Sequence, residues 1–206
     1  MNEYAKQQHK KKIKFGIVSA ISLICFFVIW YVCSAVLHLK PDYILPSPVQ
    51  VLEAFVYKLT NTAPDGATLF GHIAASLQVA LSGYVLGVVV GVPLGIAMAW
   101  FHKVDLFVTP LFDLIRPVPT IAWIPLMILW FGIGLGAKAA IIFVSAFVPC
   151  VINAYSGIKQ TKQVHLWVAQ TFGASRREML FTVAIPTAMP LIFTGMRISL
   201  GTAWMT

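Results

Sequence analysis

Long apolar stretches alternate with shorter polar stretches along this chain of 206 residues. Each apolar stretch is close to the roughly 20 residues that an α-helix needs to cross about 30 Å of hydrocarbon. Inside hydrocarbon a chain must satisfy its own backbone hydrogen bonds, which favours helices. The pattern therefore predicts an all-α fold, a polytopic bundle of transmembrane helices. The predicted spans are residues 15–37, 72–101, 117–135, 138–158 and 184–206.

The polar stretches divide the rest of the chain. A basic tail of residues 1–14 precedes a single predicted transmembrane domain, residues 15–206. In the first long loop, Pro46 and Pro48 lead into a short helix predicted at residues 49–59, because proline is tolerated in the first helical turn. The second long loop, residues 159–185, follows the fourth span. No polar tail follows the last span, so we expect the sequence to be cut short.

The composition excludes a soluble globular enzyme. Hydrophobic residues make up 59% of the chain and charged residues 11%, against roughly 45–50% and about 25% in soluble domains. The cysteines show no CxxC spacing and the histidines no HExxH spacing, so neither a metal site nor a disulfide framework is predicted. We interpret the cysteines as small packing residues. The residues concerned are Cys25, Cys33 and Cys150, and His9, His38, His72, His102 and His165.

The net charge of +8 is interpreted as a topology signal. Lys and Arg are retained on the cytoplasmic side of short loops, and a cytoplasmic N-terminus places eleven of the 15 Lys and Arg residues on that side. We therefore predict a multi-pass protein of the plasma or inner membrane, with a cytoplasmic N-terminus and no nucleic-acid partner. The predicted cytoplasmic cations are Lys6, Lys10, Lys11, Lys12, Lys14, Lys103, Arg116, Lys159, Lys162, Arg176 and Arg177, and the predicted outer ones are Lys40, Lys58 and Lys138.

Glycine recurs every four residues in the second span. Because this spacing puts them on nearly one helix face, they allow a neighbouring backbone to approach closely, and such packing drives helix association in lipid. We predict a helix-packing role for them, with lining of a pathway as the alternative. These residues are Gly83, Gly87, Gly91 and Gly95.

Three prolines fall close together at the start of the third span, at Pro117, Pro119 and Pro125. Each removes a backbone donor and biases the preceding residue away from helical angles. The segment is therefore predicted to enter the membrane as an extended or kinked piece near the inner surface. Arg116 lies at that boundary, either as an interfacial anchor or as a residue that lines or gates the inner mouth of a pathway.

The second long loop carries the signals of two short helices joined by a sharp turn. Gly173 can adopt the left-handed conformation that ends a helix after Phe172. Ser175 and Glu178 have the spacing of a capping box for the next helix. Pro186 is predicted to stop or kink that second helix. The loop is expected to display apolar side chains outside the membrane, among them Leu166, Trp167, Phe172 and Met179.

Arg176 and Arg177 lie in the first turn of the second helix, where the helix dipole disfavours cations. Two explanations are open. Either an acidic partner contacts them, or positive charge is simply retained on the cytoplasmic side.

Several tracts resemble a known family. The tract from Phe172 to Ser175, with Phe181, Val183, Ile185-Pro186, Ala188 and Pro190, looks like the EAA loop of membrane subunits of ATP-binding-cassette importers. Within that class, further tracts are similar to the nitrate, sulfonate and taurine permease family. They are Leu45-Pro46-Ser47-Pro48, Arg116-Pro117-Val118-Pro119, Trp123-Ile124-Pro125, Ile128 to Gly134, and Phe193-Thr194-Gly195-Met196-Arg197. The likeness extends in the expected order from Leu45 to the last residue.

The resemblance implies the MetI-like fold of type I importers, in which a permease domain forms a homodimeric pore in the lipid bilayer. It implies a cytoplasmic ABC ATPase that binds ATP-Mg, so that this chain itself binds no cofactor, and an extracytoplasmic solute-binding protein. The second long loop would dock on the ATPase as a coupling loop. Members of this family usually have a sixth span, which agrees with the expectation that this sequence is cut short. The candidate coupling residues are Ala169, Phe172, Gly173, Ala174, Ser175, Arg176, Arg177, Glu178 and Pro186, and the candidate pathway or gate residues are Arg116, Pro117, Pro119, Pro125 and Arg197.

The implied function is that of a permease subunit for a small anionic or zwitterionic solute, which Arg197 and Arg116 would attract. Nitrate, sulfonates, taurine, bicarbonate and thiamine-precursor pyrimidines all remain open. Where the family commonly has Glu-Ala-Ala, this chain has Trp167-Val168-Ala169, so we expect docking through apolar surface, Arg176 and Arg177.

An ATP-independent channel or secondary carrier is the alternative function. A carrier is expected to show inverted repeats and buried acids for ion coupling, and the sequence shows neither. The chain also has no phosphate loop of the GxxxxGKS/T type. It is therefore predicted to be a transport subunit, with ATP hydrolysis in a separate protein.

Overall fold

A computed structural model describes the backbone of residues 3–206 and the side chains of residues 13–206. The lysines predicted in the basic tail, Lys6, Lys10, Lys11 and Lys12, lie outside the residues whose side chains are described. Every regular element in the described backbone is helical, so the predicted all-α fold is confirmed. The chain forms two compact units, Met1–Ile73 and Ala74–Thr206.

The elements follow the apolar pattern of the sequence. The helices are α1 (Glu3–Tyr31), α2 (Pro48–Thr60), α3 (Leu69–Trp100), α4 (His102–Ile115), α5 (Ile124–Phe131), α6 (Leu135–Lys159), α7 (Gln163–Thr171), α8 (Arg176–Met179) and α9 (Ile185–Met205). Shorter turns accompany them: π-helical Val32–Val36 after α1, 3₁₀ Thr120–Trp123 before α5, and π-helical Leu180–Ala184 between α8 and α9. The helices long and apolar enough to cross a membrane cover Ile13–Val36, Leu69–Trp100, Leu135–Lys159 and Arg176–Met205.

The third span differs from the prediction of one span over residues 117–135. Helix α4 already occupies His102–Ile115 before it, and the following 3₁₀ turn and α5 are bent from α4 by 88°. Pro119 flanks the 3₁₀ turn and Pro125 lies in the first turn of α5. The predicted kink is therefore confirmed, and the pair of short helices is a candidate fifth crossing or re-entrant segment.

Of the two outcomes predicted at Pro186, a stop or a kink of the helix, the structure excludes the stop. Residues Arg176–Met205 form one continuous helical run of 30 residues. The π-helical turn lies directly before the proline, and the Ile185 amide donates to the Leu180 carbonyl five residues earlier. This wider turn accommodates a ring that would clash in a regular α-helix. The second short helix of the long loop is thus the first turn of the last membrane-crossing helix.

Helix α6 is the centre of the second unit, and α3 packs on it through the predicted glycine face. Cβ atoms placed on these glycines would lie closer than 3.0 Å to side chains of α6, so the two backbones are nearly in contact. Gly83, Gly87, Gly91 and Gly95 face Ile142, Ala146, Cys150 and Ala154, at Cβ distances of 2.7, 2.6, 2.9 and 2.9 Å. Close packing of this kind stabilises helix pairs in lipid.

An adjacent side of α6 packs on α9, also through small residues. A Cβ at Gly195 would lie 2.6 Å from Asn153 Cβ. Cys150 is buried, as expected of a packing residue, and its Sγ donates to Ser199 Oγ at 3.3 Å. One buried core thus joins α6, α9 and the π-helical turn before α9. It contains Ala154, Ile158, Leu180, Ala184, Ala188 and Ile192.

Candidate functional site

The turn between α7 and α8 is fixed by its own backbone hydrogen bonds. Gly173 has φ +83°, in the left-handed region that favours glycine. Its amide donates to the Gln170 carbonyl at 3.0 Å, and the Ala174 amide donates to the Ala169 carbonyl at 3.1 Å. This pair of bonds is the Schellman motif. The helix end predicted at Gly173 is therefore confirmed.

Hydrogen bonds between neighbouring residues also fix the start of α8. Ser175 Oγ accepts a hydrogen bond from the Glu178 amide at 3.3 Å, and Glu178 Oε2 accepts one from the Ser175 amide at 2.7 Å. The predicted capping box is thus confirmed. Since both sides of the turn satisfy their backbone groups within a few residues, α7, the turn and α8 form a rigid unit, which we call the handle, residues 163–179.

The handle displays apolar and cationic side chains together. Phe172 is 86% exposed and Trp167 57% exposed. Arg176 and Arg177 are also exposed, and neither lies within 4.0 Å of a carboxylate in the described part of the chain. An apolar patch rimmed by charge is typical of a protein interaction site.

A cleft of about 610 Å³ lies where the handle meets the ends of α3 and α6. Trp100 and Lys159 line it from the two long helices, and Trp167 and Arg176 line it from the handle. The handle is also continuous with the core, because Leu180 and Ala184 of the adjoining π-helical turn are buried. A force on the handle would therefore reach α6 and α9 through packed side chains.

The proline segment adjoins a second cleft, of about 320 Å³, between α3, α4 and α6. Arg116 and Asp113 both line it, and Arg116 Nε lies 3.2 Å from Asp113 Oδ1. Arg116 is therefore placed beside a cavity, as a gate residue requires, but its charge is partly neutralised by the neighbouring carboxylate. Pro117 lies in the turn that leaves α4.

The sequence reasoning missed a polar cluster that joins α4 to α6. Asp105 Oδ1 accepts a hydrogen bond from Thr109 Oγ1 at 2.8 Å. Asp105 Oδ2 accepts one from Tyr155 OH at 3.2 Å and also lies 3.7 Å from Lys159 Nζ. Lys159 Nζ also lies 5.3 Å from the centre of the Tyr155 ring. The cluster ties the helix before the proline segment to the end of α6, from which the handle begins.

Arg197 lies within α9, outside the handle, and it is not among the residues that line the Arg116 cleft. It is exposed on α9, on the side opposite the buried residues Gly195 and Ser199, and the described residues offer it no carboxylate within 4.0 Å. An ionisable side chain within an apolar span faces a protein interior or a water-filled cavity rather than lipid. The structure thus separates the predicted residues into a handle, the Arg116 cleft, and the Arg197 face of α9.

Several helices that are long and apolar enough to cross a membrane are typical of a multi-pass membrane protein. The chain belongs to the family described as binding-protein-dependent transport system inner membrane component, whose model matches residues 91–206. It is therefore a multi-pass membrane protein and a transport component, not an enzyme. The matched region contains the handle, the proline segment and Arg197.

Several named proteins are similar in sequence to this chain over most of its length. The taurine transport system permease protein TauC of Escherichia coli (strain K12) is 40% identical over 90% of this chain and 67% of its own length. The formylaminopyrimidine transport permease protein ThiX of Halalkalibacterium halodurans is 30% identical over 84% of this chain and 66% of its own length. The bicarbonate transport system permease protein CmpB of Synechococcus elongatus is 26% identical over 95% of this chain and 71% of its own length.

Proposed function

We propose that this chain is the permease subunit of an ATP-binding-cassette importer for a small anionic or zwitterionic solute of the nitrate, sulfonate or taurine type. A cytoplasmic ATPase that binds ATP-Mg drives it, and an extracytoplasmic binding protein delivers the solute. The family membership supports the transport role, and the names of relatives such as the taurine permease support the solute class.

The handle is the observation that carries the proposal. It is held rigid by the Schellman motif and the capping box, it exposes Phe172 and Trp167, and it is continuous with the core of the membrane unit. A rigid, exposed helix pair can transmit a rigid-body motion of a partner into a helical bundle, whereas a loose linker cannot. The handle therefore docks on the ATPase and couples its closure to the membrane helices.

Docking uses a different chemistry from the acidic contact of the family motif. Trp167 stands in place of glutamate, and Phe172 is the most exposed apolar residue of the handle. Aromatic and Arg side chains dominate the binding energy of many interfaces. The groove on the ATPase is thus expected to be apolar at its centre, with carboxylates opposite Arg176 and Arg177.

The positive-inside rule supports a cytoplasmic N-terminus, because this orientation puts the handle and most Lys and Arg residues on the cytoplasmic side. The exposure of Arg197 supports a homodimer in which two copies of the chain line one path. At membrane depth its guanidinium is better accommodated by a polar path between two copies than by lipid. There it attracts the anionic group of the solute.

The experiment compares two glycines of the same conformation. Gly173 and Gly66 have φ values of +83° and +82°, and their amides donate at 3.0 and 2.7 Å to Gln170 and Thr62 carbonyls. Proline removes the amide hydrogen and forbids positive φ at either site. In the reconstituted complex, Gly173→Pro is expected to uncouple ATP hydrolysis from uptake, whereas Gly66→Pro leaves the ratio of solute taken up to ATP hydrolysed unchanged.

Both variants must reach the membrane in wild-type amounts for the comparison to hold. Coupled uptake by Gly173→Pro at the wild-type ratio would refute the docking role of the handle. Full uptake by the wild-type chain in vesicles without any ATPase would instead support the channel or carrier alternative.

A further inference from the structure

Helix α2 has one apolar face that the first unit leaves uncovered. At 100° per residue, its large apolar side chains fall on a single face, and Gln50, Glu53 and Thr60 fall on the other. None of the residues of α2 is buried. The apolar face consists of Val49, Val51, Leu52, Phe55, Val56 and Leu59.

The start of α2 is tied to the end of the first span. The indole N–H of Trp30 donates to the Pro46 carbonyl at 3.0 Å, two residues before α2 begins. Trp30 belongs to the apolar segment Ile13–Val36 and lies within its last two turns. Tryptophan is enriched where a span meets the membrane surface. The hydrogen bond therefore holds the N-terminus of α2 at the level of that surface.

The end of α2 is tied to the start of the second span. Lys58 pairs with the Asp65 carboxylate and donates to the Ala67 carbonyl at 3.1 Å, while His72 Nε2 lies 2.9 Å from Asp65 Oδ2. His72 lies in the first turn of α3. The hydrogen bond from Lys58 also lowers the pKa of Asp65, so the carboxylate stays ionised at neutral pH. The C-terminus of α2 is thus held where the next span begins.

The apolar face of α2 begins against the first span. Pro48 lies on the same face as Leu52, Phe55 and Leu59, at spacings of four, seven and eleven residues. Pro48 lines a shallow apolar cleft together with residues of α1 from Leu23 to Tyr31, which lie inside the apolar segment. The N-terminal end of the face is therefore continuous with the apolar surface of α1.

From this geometry we propose that α2 is an interfacial helix that binds the lipid surface, with its apolar face in the acyl chains and Glu53 and Gln50 in the headgroup layer. Its two ends are held next to the ends of the first two spans, and its uncovered apolar face is continuous at Pro48 with the apolar surface of α1. Amphipathic helices of this type lie in the membrane plane with the apolar face about 5–10 Å below the headgroups. Helix α2 thereby anchors the connection between the first two spans to the bilayer.

Spin labels on the two faces of α2 test this proposal. Phe55→Cys and Glu53→Cys are made in a chain whose native cysteines are replaced, labelled with a nitroxide, and reconstituted without binding protein into phosphatidylethanolamine and phosphatidylglycerol vesicles. Oxygen concentrates in hydrocarbon and a nickel chelate in water. The ratio of oxygen to nickel accessibility is expected to be severalfold higher at residue 55 than at residue 53. Leu52→Cys and Gln50→Cys form a second pair if either variant fails to insert.

Other occupants of the face give different results. Equal nickel accessibility at residues 53 and 55 would mean that the face lies in water and would overturn the proposal. Low accessibility to both reagents at residue 55 would mean that protein, such as a second copy of the chain, covers the face, and would overturn it as well. The same pattern at residues 52 and 50 as at 55 and 53 supports lipid contact along the helix.

Discussion

Replacement of Gly87 by alanine tests the close packing of α3 on α6. The added Cβ would lie 2.6 Å from Ala146 Cβ and 3.1 Å from the Phe147 amide nitrogen, whereas ordinary contacts begin at 3.4 Å. The two helices must therefore separate by about 1 Å at this point or shift their backbones. Overpacking of a well-packed site costs about 1–3 kcal/mol. Leucine at the same site is expected to prevent assembly altogether.

Gly16→Ala is the matched control, since nothing lies within 4 Å of a Cβ at that position of α1. Both substitutions gain the same helix propensity, up to about 1 kcal/mol, so their difference isolates the packing. We expect Gly87→Ala to be less stable by about 1–3 kcal/mol, or 5–150-fold in the folding equilibrium constant.

The assay is unfolding of the purified chain in mixed micelles by increasing dodecyl sulfate, followed by circular dichroism. Because the other glycines of the α3 face meet α6 at similar distances, Gly91→Ala is expected to behave like Gly87→Ala. If Gly87→Ala unfolds at the same detergent fraction as Gly16→Ala or later, the account of this interface is wrong.

Further predictions concern charged groups. Asp105→Asn weakens the α4–α6 cluster and is expected to lower the free energy of unfolding by about 1 kcal/mol, whereas Asp113→Asn, in an exposed pair, changes it by less than about 0.5 kcal/mol; equal losses would contradict this. Arg197→Ala is expected to raise the KM for solute uptake, and Arg197→Lys to retain part of the affinity; an unchanged KM would remove it from the path. Because the pKa of Asp65 is lowered from 3.8, its contact with Lys58 stabilises above that value and is lost as the pH falls through the folded pKa; Asp65→Asn should lose less thermal stability between pH 7 and 3 than the wild type.

The features that sequence reasoning predicted well are those set by neighbouring residues. The turn at Gly173 and the capping box at Ser175 and Glu178 depend on side chains within a few positions, so their signals are complete in the sequence. The glycine face of α3 was visible for a similar reason, because a four-residue repeat fixes a helix face whatever the partner is. The repeat does not indicate which helix packs on that face, so α6 could not be predicted as the partner.

Features that depend on distant residues were missed. Asp105 and Tyr155 are 50 positions apart, and nothing near either residue indicates that they pair. The sequence could not decide between a stop and a kink at Pro186, because the π-helical turn that accommodates its ring depends on packing around Leu180 and Ala184 rather than on local propensity. The placement of α2 next to the end of the first span depends on the hydrogen bond from Trp30 to the Pro46 carbonyl, 16 positions away, which no local pattern indicates.

The most direct test of the central claim is a crosslink from the handle to the ATPase in intact cells. Phe172 and Tyr43 are both 86% exposed, and they lie in loops that the account places on opposite sides of the membrane. In a chain without its native cysteines, Phe172→Cys is expected to form a product with an ATPase that carries a phosphate loop, and Tyr43→Cys none. Labelling of Phe172→Cys by an impermeant reagent from outside the cell, or no ATPase product at all, would contradict the account.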